Sequence, residues 1–285
     1  MYIAVLGKGG SGKSSVSWLL TRSLQNRSRP VLAIDADHNM DLSINLGVAD
    51  TKWPTLSEAD AEFRGLVGLE PQDSYKELAR RDLAELPTLS FPEHDFFRKY
   101  VRPLATNLYL LNGGLGRDEV LFGNKCAHAY LSPLKYLYPL ISEDSSPHII
   151  VDSVAGIDMV NFGLYAGIDA VLVVVENHPH SRRVLAQITR ANETIQTPVY
   201  CVLNKFDPVR DSALVAELSA HPTARYLGHL TPDPGICDLT WAEVDSANKD
   251  QIDQVTGRLA TCTLPRSQAW GRITRLDTLK LASSS

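Results

Sequence analysis

Seven short, mostly apolar runs punctuate the chain, at residues 2–6, 31–35, 107–111, 148–152, 170–175, 198–203 and 226–230. The runs at 31–35 and 170–175 are apolar at successive positions, the pattern of a strand covered on both faces in a parallel sheet. Longer segments with helical character lie between several of them, at 15–24, 129–141 and 181–194, and residues 235–262 read as closing helices. Strands alternating with helices predict an α/β fold with a doubly wound, mostly parallel sheet. Residues 48–106 break the rhythm. Trp53-Pro54, Glu70-Pro71 and Leu86-Pro87 divide that insert into short pieces, within which 73–84 can form one amphipathic helix. No repeat or low-complexity tract is visible. The pattern predicts a domain over 1–262 and an added tail over 263–285, frayed from about Ala282 onward.

Composition narrows the class. A chain of 285 residues, 44% hydrophobic, suffices for one large α/β domain or two small ones. Its formal net charge of −5 offers no basic surface recommending nucleic acid or anionic lipid as a partner. No apolar run approaches the ~20 residues of a membrane span, and no charged leader with an apolar core is present, so no signal peptide is expected. The four cysteines, Cys126, Cys201, Cys237 and Cys262, are widely spaced and are expected to be reduced thiols in a cytoplasmic protein.

The chemistry centres on Gly7-Lys8-Gly9-Gly10-Ser11-Gly12-Lys13-Ser14, between the first run and the first helical segment. Strand, glycine-rich loop and helix in that order read as a P-loop. Without side chains at the glycines, backbone N–H groups can crowd around phosphate oxygens, and the helix N-terminus adds partial positive charge there. Gly9, Gly10, Ser11, Gly12, Lys13, Ser14 and Ser15 are therefore expected to hold a nucleotide. Lys13 would neutralise the β- and γ-phosphates, and the Ser14 hydroxyl would ligate Mg²⁺.

Lys8, five positions before Lys13, is not needed to bind one nucleotide within one subunit. With it the loop reads Lys-Gly-Gly-x-Gly-Lys-Ser, and the chain resembles the deviant-Walker ATPases. These include MinD, ParA, the arsenite-pump ATPase, the nitrogenase iron protein and the ATPase of nickel insertion into carbon monoxide dehydrogenase. The resemblance covers about residues 1–50 and 107–262. It implies a homodimer in which Lys8 reaches the partner's nucleotide, catalysing hydrolysis together with Lys13 and Asp37. Asp37, in Asp35-Ala36-Asp37-His38, would orient the attacking water; His38 stands where a proline is usual. Asp41 would sense nucleotide state or simply cap a helix. Asp152, ending the run 148–152, would hold Mg²⁺ through water, and Ala155-Gly156 would form the second switch. Asn204 and the Thr231-Pro232-Asp233-Pro234 loop, through Pro232 and Asp233, would lie beside the base.

Two features leave alternatives open. Cys126-Ala127-His128 stands where the nickel-insertion ATPase has Cys-x-Cys, so Cys126 and His128 with their symmetry mates would bind Zn²⁺ or Ni²⁺ at a dimer interface; the bland reading is a packed thiol beside a helix-starting histidine. His178 and His180, flanking Pro179, are read as a solvated loop rather than a metal site. No cysteine lies between Val151 and Ala170, which disfavours a bridging iron–sulfur cluster. Asn204-Lys205-Phe206-Asp207 also spells a guanine-recognition motif, with Asp207 either reading guanine or closing a turn before Pro208. The function expected is an ATP-hydrolysing, dimerising switch that assists maturation of a client's metal centre, with ATP and Mg²⁺. The alternatives are a positioning or partitioning ATPase that binds DNA or membrane, a GTPase using Asn204 and Asp207, or a nucleotide-binding scaffold with negligible turnover.

Overall fold

The computed structural model describes residues 1–37, 39–48, 52–114, 131–161 and 163–282. Among them, eight strands form one sheet: β1 (Tyr2–Gly7), β2 (Val31–Ala36), β3 (Val101–Ala105), β4 (Leu108–Asn112), β5 (His148–Ser153), β6 (Ala170–Val175), β7 (Val199–Leu203) and β8 (Ala224–His229). Their spatial order is β3-β4-β2-β5-β1-β6-β7-β8. Every pairing is parallel except β3 with β4, which is antiparallel and closes one edge. The seven runs of the sequence are the seven parallel strands. β3 was not foreseen, because Arg102 and Pro103 interrupt its apolar pattern, and an edge position is where a sheet tolerates proline.

The helices are α1 (Lys13–Gln25), α2 (Asp41–Asn45), α3 (Asp60–Leu66), α4 (Asp95–Tyr100), α5 (Ser132–Leu140), α6 (Asp158–Asn161), α7 (Pro179–Ala191), α8 (Ser212–Ser219), α9 (Pro234–Cys237), α10 (Ser246–Leu259) and α11 (Arg266–Ala282). Because side chains alternate across a strand, each central strand feeds two cores. Ile3 and Val5 of β1 pack with Trp18, Leu19 and Leu24 of α1 and Ile252 and Val255 of α10. Ala4 and Leu6 join the other core, with Leu134 and Leu137 of α5, Leu185 of α7 and Ile273 of α11. This is the doubly wound arrangement, with β1 in its interior.

The insert is a packed layer on that second core. Phe63 lies 5.7 Å from Phe96, and the Tyr75 ring stacks on Tyr136 at 5.5 Å. The single helix expected over 73–84 is instead two 3-10 turns, Tyr75–Arg80 and Leu83–Glu85. A three-residue period points Tyr75 and Leu78 together into the aromatic layer, and the extended backbone at Arg81 and Asp82 separates the turns.

The segment expected as an added tail also behaves differently. Trp270, Ile273 and Leu276 of α11 are buried in the second core, and Trp270 Nε1 donates to the Arg81 carbonyl at 3.0 Å. Asp277, wholly buried, accepts from Lys135 Nζ at 2.5 Å and from Tyr136 OH at 2.6 Å. A polar residue at a helical core position hid this face, because its partners lie about 140 residues away in sequence.

Candidate nucleotide-binding site

The loop 7–12 leaves the carboxyl end of β1 and enters α1, with β5 and β6 on either side of β1. In open α/β sheets this end of the strands is where ligands bind. Gly7 lies so close to its neighbours that a Cβ there would meet the Val174 carbonyl at 2.6 Å. Gly12 caps α1 with φ +90°, and a Cβ on it would sit 2.2 Å from Asn204 Nδ2. Only glycine combines the left-handed backbone with that approach. Gly9 and Gly10 are exposed at the crown, Ser14 and Ser15 are half-buried in the first turn, and Ser11 is buried with its Oγ unpartnered. Lys13 is buried and folds back over the loop, donating Nζ to the Lys8 carbonyl at 3.4 Å.

Behind the loop, two carboxylates meet. Asp35 and Asp152 are register partners on β2 and β5. Burial pushes Asp152 up to about 7, with the nearby Asp35 adding to it against the Ser14 and Ser17 hydroxyls and the Lys13 ammonium. Its Oδ1 accepts from Ser17 Oγ at 2.9 Å, while its buried Oδ2 has no hydrogen-bond partner. An orphaned carboxylate oxygen beside a serine hydroxyl suits a hard divalent cation such as Mg²⁺. Asp35 is pushed up to about 6 by burial, against hydrogen bonds from the Ser43 amide and hydroxyl, both 2.7 Å. These bonds fasten α2 to the end of β2.

Asp37 follows at the mouth, half-buried, its Oδ1 accepting from the Asn39 amide at 3.1 Å. Asp41 opens α2 and is exposed, a first-turn acid at a helix N-terminus. In the loop after β5, the Gly156 amide donates to the Gly7 carbonyl at 3.0 Å, so that loop touches the glycine loop directly.

The residues expected beside the base are held by other parts of the chain. Asn204 is buried, and its Nδ2 donates to the Ser11 carbonyl at 2.9 Å. The Asp233 carboxylate caps α9, accepting from Gly235 and Asp245 amides and from Asn248 Nδ2, each at 2.8 Å. Burial alone would raise Asp233, but these bonds outweigh it and hold it below the usual carboxylate range. Pro232 is exposed beside it. Asp207 closes its own turn, its Oδ1 accepting from the Val209 and Arg210 amides at 2.9 and 3.3 Å.

Sequence reasoning missed Glu176 and Lys205. Glu176 directly follows β6 and accepts from Lys8 Nζ at 2.9 Å and from Lys205 Nζ at 3.3 Å, while Lys205 Nζ also donates to the Gly10 carbonyl at 2.7 Å. An acid immediately after a buried strand was the available signal, but its partners lie on two other loops. Ser17, which bridges α1 to Asp152, left no signal beyond its place one turn into the helix. His38, Cys126 and His128 lie outside the described residues. Among the described residues, no group of three or more His, Cys, Asp or Glu side chains could hold a metal, and no helix is long and apolar enough to cross a membrane.

The sequence pattern of the CobQ/CobB/MinD/ParA nucleotide-binding domain matches residues 2–238. The chain belongs to this family. The chain is 27% identical over 208 residues to an uncharacterized ATP-binding protein of Methanocaldococcus jannaschii, covering 73% of this chain and 79% of that protein. It is 26% identical over 191 residues to the carbon monoxide dehydrogenase accessory protein CooC of Rhodospirillum rubrum, covering 66% and 67%. The fold matches a plasmid partition protein of Borrelia burgdorferi bound to AMPPNP, with TM-score 0.60 and 14% identity over 91% of this chain and 98% of that one. It also matches MinD of Aquifex aeolicus, with TM-score 0.57 and 19% identity over 93% and 99%. This MinD/ParA-family protein thus carries the family's nucleotide-binding fold, with the glycine loop at its centre.

Proposed function

We propose that the protein binds ATP with Mg²⁺ and hydrolyses it as a nucleotide-dependent cytoplasmic homodimer, a switch that serves maturation of a client protein's metal centre. The observation that carries this reading is the glycine loop with two lysines over an orphaned carboxylate. The loop amides and Lys13 receive the phosphates; in binding them, Lys13 exchanges its contact with the Lys8 carbonyl for phosphate oxygens. Ser14 and Asp152 would hold Mg²⁺, which supplies charge neutralisation on the β- and γ-phosphate oxygens when bound. Asp37 orients a water for in-line attack on the γ-phosphate, and Lys8 from the partner stabilises charge in the transition state. The link between Gly156 and Gly7 supports a second switch loop that follows the occupancy of the phosphate site.

The base is adenine in this reading. Asp207 is tied into its own turn, which supports the turn role over guanine recognition. Asn204 and the exposed Pro232 line the base side, with Asp233 acting through the loop it caps. The likeness to CooC supports metal-centre maturation over DNA or membrane positioning. The transition metal, Zn²⁺ or Ni²⁺, is assigned to Cys126 and His128 on sequence grounds.

The test combines equilibrium binding of ATP and GTP, sedimentation with and without ATP, and phosphate release. ATP should bind at least ten-fold tighter than GTP, a difference of ~1.4 kcal/mol, and should convert monomer to dimer. Tighter GTP binding overturns the base assignment; absence of phosphate release overturns hydrolysis. Metal analysis of the ATP-bound dimer should find half an equivalent of Zn²⁺ or Ni²⁺ per subunit, lost in Cys126→Ser and His128→Ala. Binding indifferent to both substitutions overturns the metal assignment.

A further inference from the structure

Glu176 is the single acid between two lysines that lie on different loops. Its Oε1 accepts from Lys8 at 2.9 Å and its Oε2 from Lys205 at 3.3 Å. Glu176 is the more enclosed partner, its side chain 16% exposed against 30% for Lys8 and 51% for Lys205. Its amide is fixed in turn, donating to Ser181 Oγ at the start of α7 at 3.1 Å. The carboxylate thus stands on a rigid strand end while both ammonium groups reach it on flexible stems. The two lysines hold it below the usual carboxylate range against the opposing effect of burial. Lys205 is itself placed with care: its backbone is left-handed, φ +57°, an uncommon conformation for a residue with a side chain. That turn sends its Nζ over the loop crown to the Gly10 carbonyl at 2.7 Å, next to Asn204, which grips the Ser11 carbonyl.

We propose that Glu176 is a latch that holds Lys8 within its own subunit, and that Lys205 is the counter-cation that lets Lys8 leave. This rests on the reading that Lys8 acts on the partner's nucleotide. In the single subunit, Lys8 is spent on Glu176. When ATP brings two subunits together, the phosphate charge across the interface competes with Glu176 for Lys8. A half-buried carboxylate abandoned by its cation would be costly. Lys205 already touches Glu176 and needs only a small movement to take it over. Glu176 and Lys205 are therefore positioning residues: neither contacts the reacting phosphate, and both set how readily Lys8 is delivered. Lys205 also ties this exchange to the loop crown through the Gly10 carbonyl.

The relay predicts effects of opposite sign from neighbouring charges. An exposed ion pair is worth a factor of about 1.4–5 in an equilibrium, and a dimer releases two latches. Glu176→Gln should therefore tighten ATP-driven dimerisation by about 2- to 25-fold. Lys205→Met should loosen it by at least about two-fold, because Glu176 is then left to Lys8 alone. In the Glu176→Gln background, Lys205→Met should have less than half that effect. The dimer constants come from sedimentation velocity of the full chain with ATP and Mg²⁺. A second readout needs no dimer: amine acetylation of Lys8 in the nucleotide-free monomer, followed by peptide mass spectrometry. Glu176→Gln should speed labelling of Lys8 at least two-fold, with the labelling of a distant lysine, Lys249, as reference.

Lys8 labelling that is unchanged in Glu176→Gln overturns the latch, whatever the dimer does. Equal loosening by Lys205→Met with and without Glu176 overturns the counter-cation role and leaves Lys205 as a tether of Gly10. Absence of any ATP-driven dimer in the unmodified protein overturns the dimer reading itself, and the latch is then judged by the labelling alone.

Discussion

Replacing Asp277 by alanine tests whether α11 is integral to the fold. Asp277 is 0% exposed and Lys135 5% exposed, with 2.5 Å between Oδ1 and Nζ, and Tyr136 OH donates to the other oxygen at 2.6 Å. Alanine would leave a buried ammonium and a buried phenol without their acceptor. Breaking a buried ion pair from one side costs about 3–5 kcal/mol, and an unsatisfied buried hydroxyl about 1–3 kcal/mol. These costs do not add in full. Burial already lowers the Lys135 ammonium below its usual range, so the lysine can shed its proton once Asp277 is gone. The expected net loss is about 3–5 kcal/mol, read from urea unfolding followed by far-ultraviolet circular dichroism.

The same network makes a second, less intuitive prediction. Replacing all three polar partners together, Lys135→Met with Tyr136→Phe and Asp277→Leu, removes the desolvation cost along with the attraction. That variant should lie within about 1.5 kcal/mol of the unmodified protein, because well-packed apolar substitutes often match a buried ion pair. ATP affinity should be unchanged in it, since none of these residues touches the glycine loop. A loss under about 1 kcal/mol in Asp277→Ala, or a triple variant as unstable as the single one, would refute the reasoning.

Three further outcomes are expected. Gly12→Ala should abolish measurable ATP binding by isothermal titration calorimetry and cost about 1–2 kcal/mol of stability, because alanine resists the left-handed backbone and its Cβ displaces Asn204 from the loop; ATP affinity within two-fold of the unmodified protein would refute this. Lys13→Ala should lose ATP affinity outright, whereas Lys8→Ala should keep monomer affinity and lose dimerisation and turnover; full turnover in Lys8→Ala would show that Lys8 has no role across the interface. Burial depresses His148 to about 4, with the Met1 amino group, Arg29 and Arg27 adding to the effect in that order. The unfolded imidazole therefore takes up a proton that the folded one refuses between about pH 6.5 and 4. Unfolding free energy should fall as pH drops through that window, and less steeply in His148→Gln; parallel pH curves for the two proteins would sink the assignment.

The sequence by itself determined the parallel sheet and the glycine loop, because both are written in contiguous residues. A buried parallel strand needs a run of apolar side chains, and 31–35 or 170–175 can be read without knowing their neighbours. The glycine loop is likewise local: Gly12 and Lys13 are adjacent, and the loop's place between β1 and α1 follows from order along the chain. The positions of Asp37, just past β2, and Asp152, near the carboxyl end of β5, follow from order along the chain for the same reason. The tertiary structure decided what depends on distant partners. Pro103 hid β3 because only an edge position makes a proline acceptable there. The split of 73–84 into two 3-10 turns came from the aromatic layer that Tyr75 and Leu78 join. The C-terminal segment packs into the core through Trp270, Ile273 and Leu276, and only the fold sets Lys135 and Tyr136 opposite Asp277. Glu176 shows the same limit at the site itself. Its position after β6 is plain in the sequence, but whether it faces solvent or two lysines is settled by loops that follow β1 and β7. Charge is long-ranged in space and carries no periodicity along the chain, so pairings of this kind emerge only when the sheet brings the strand ends together.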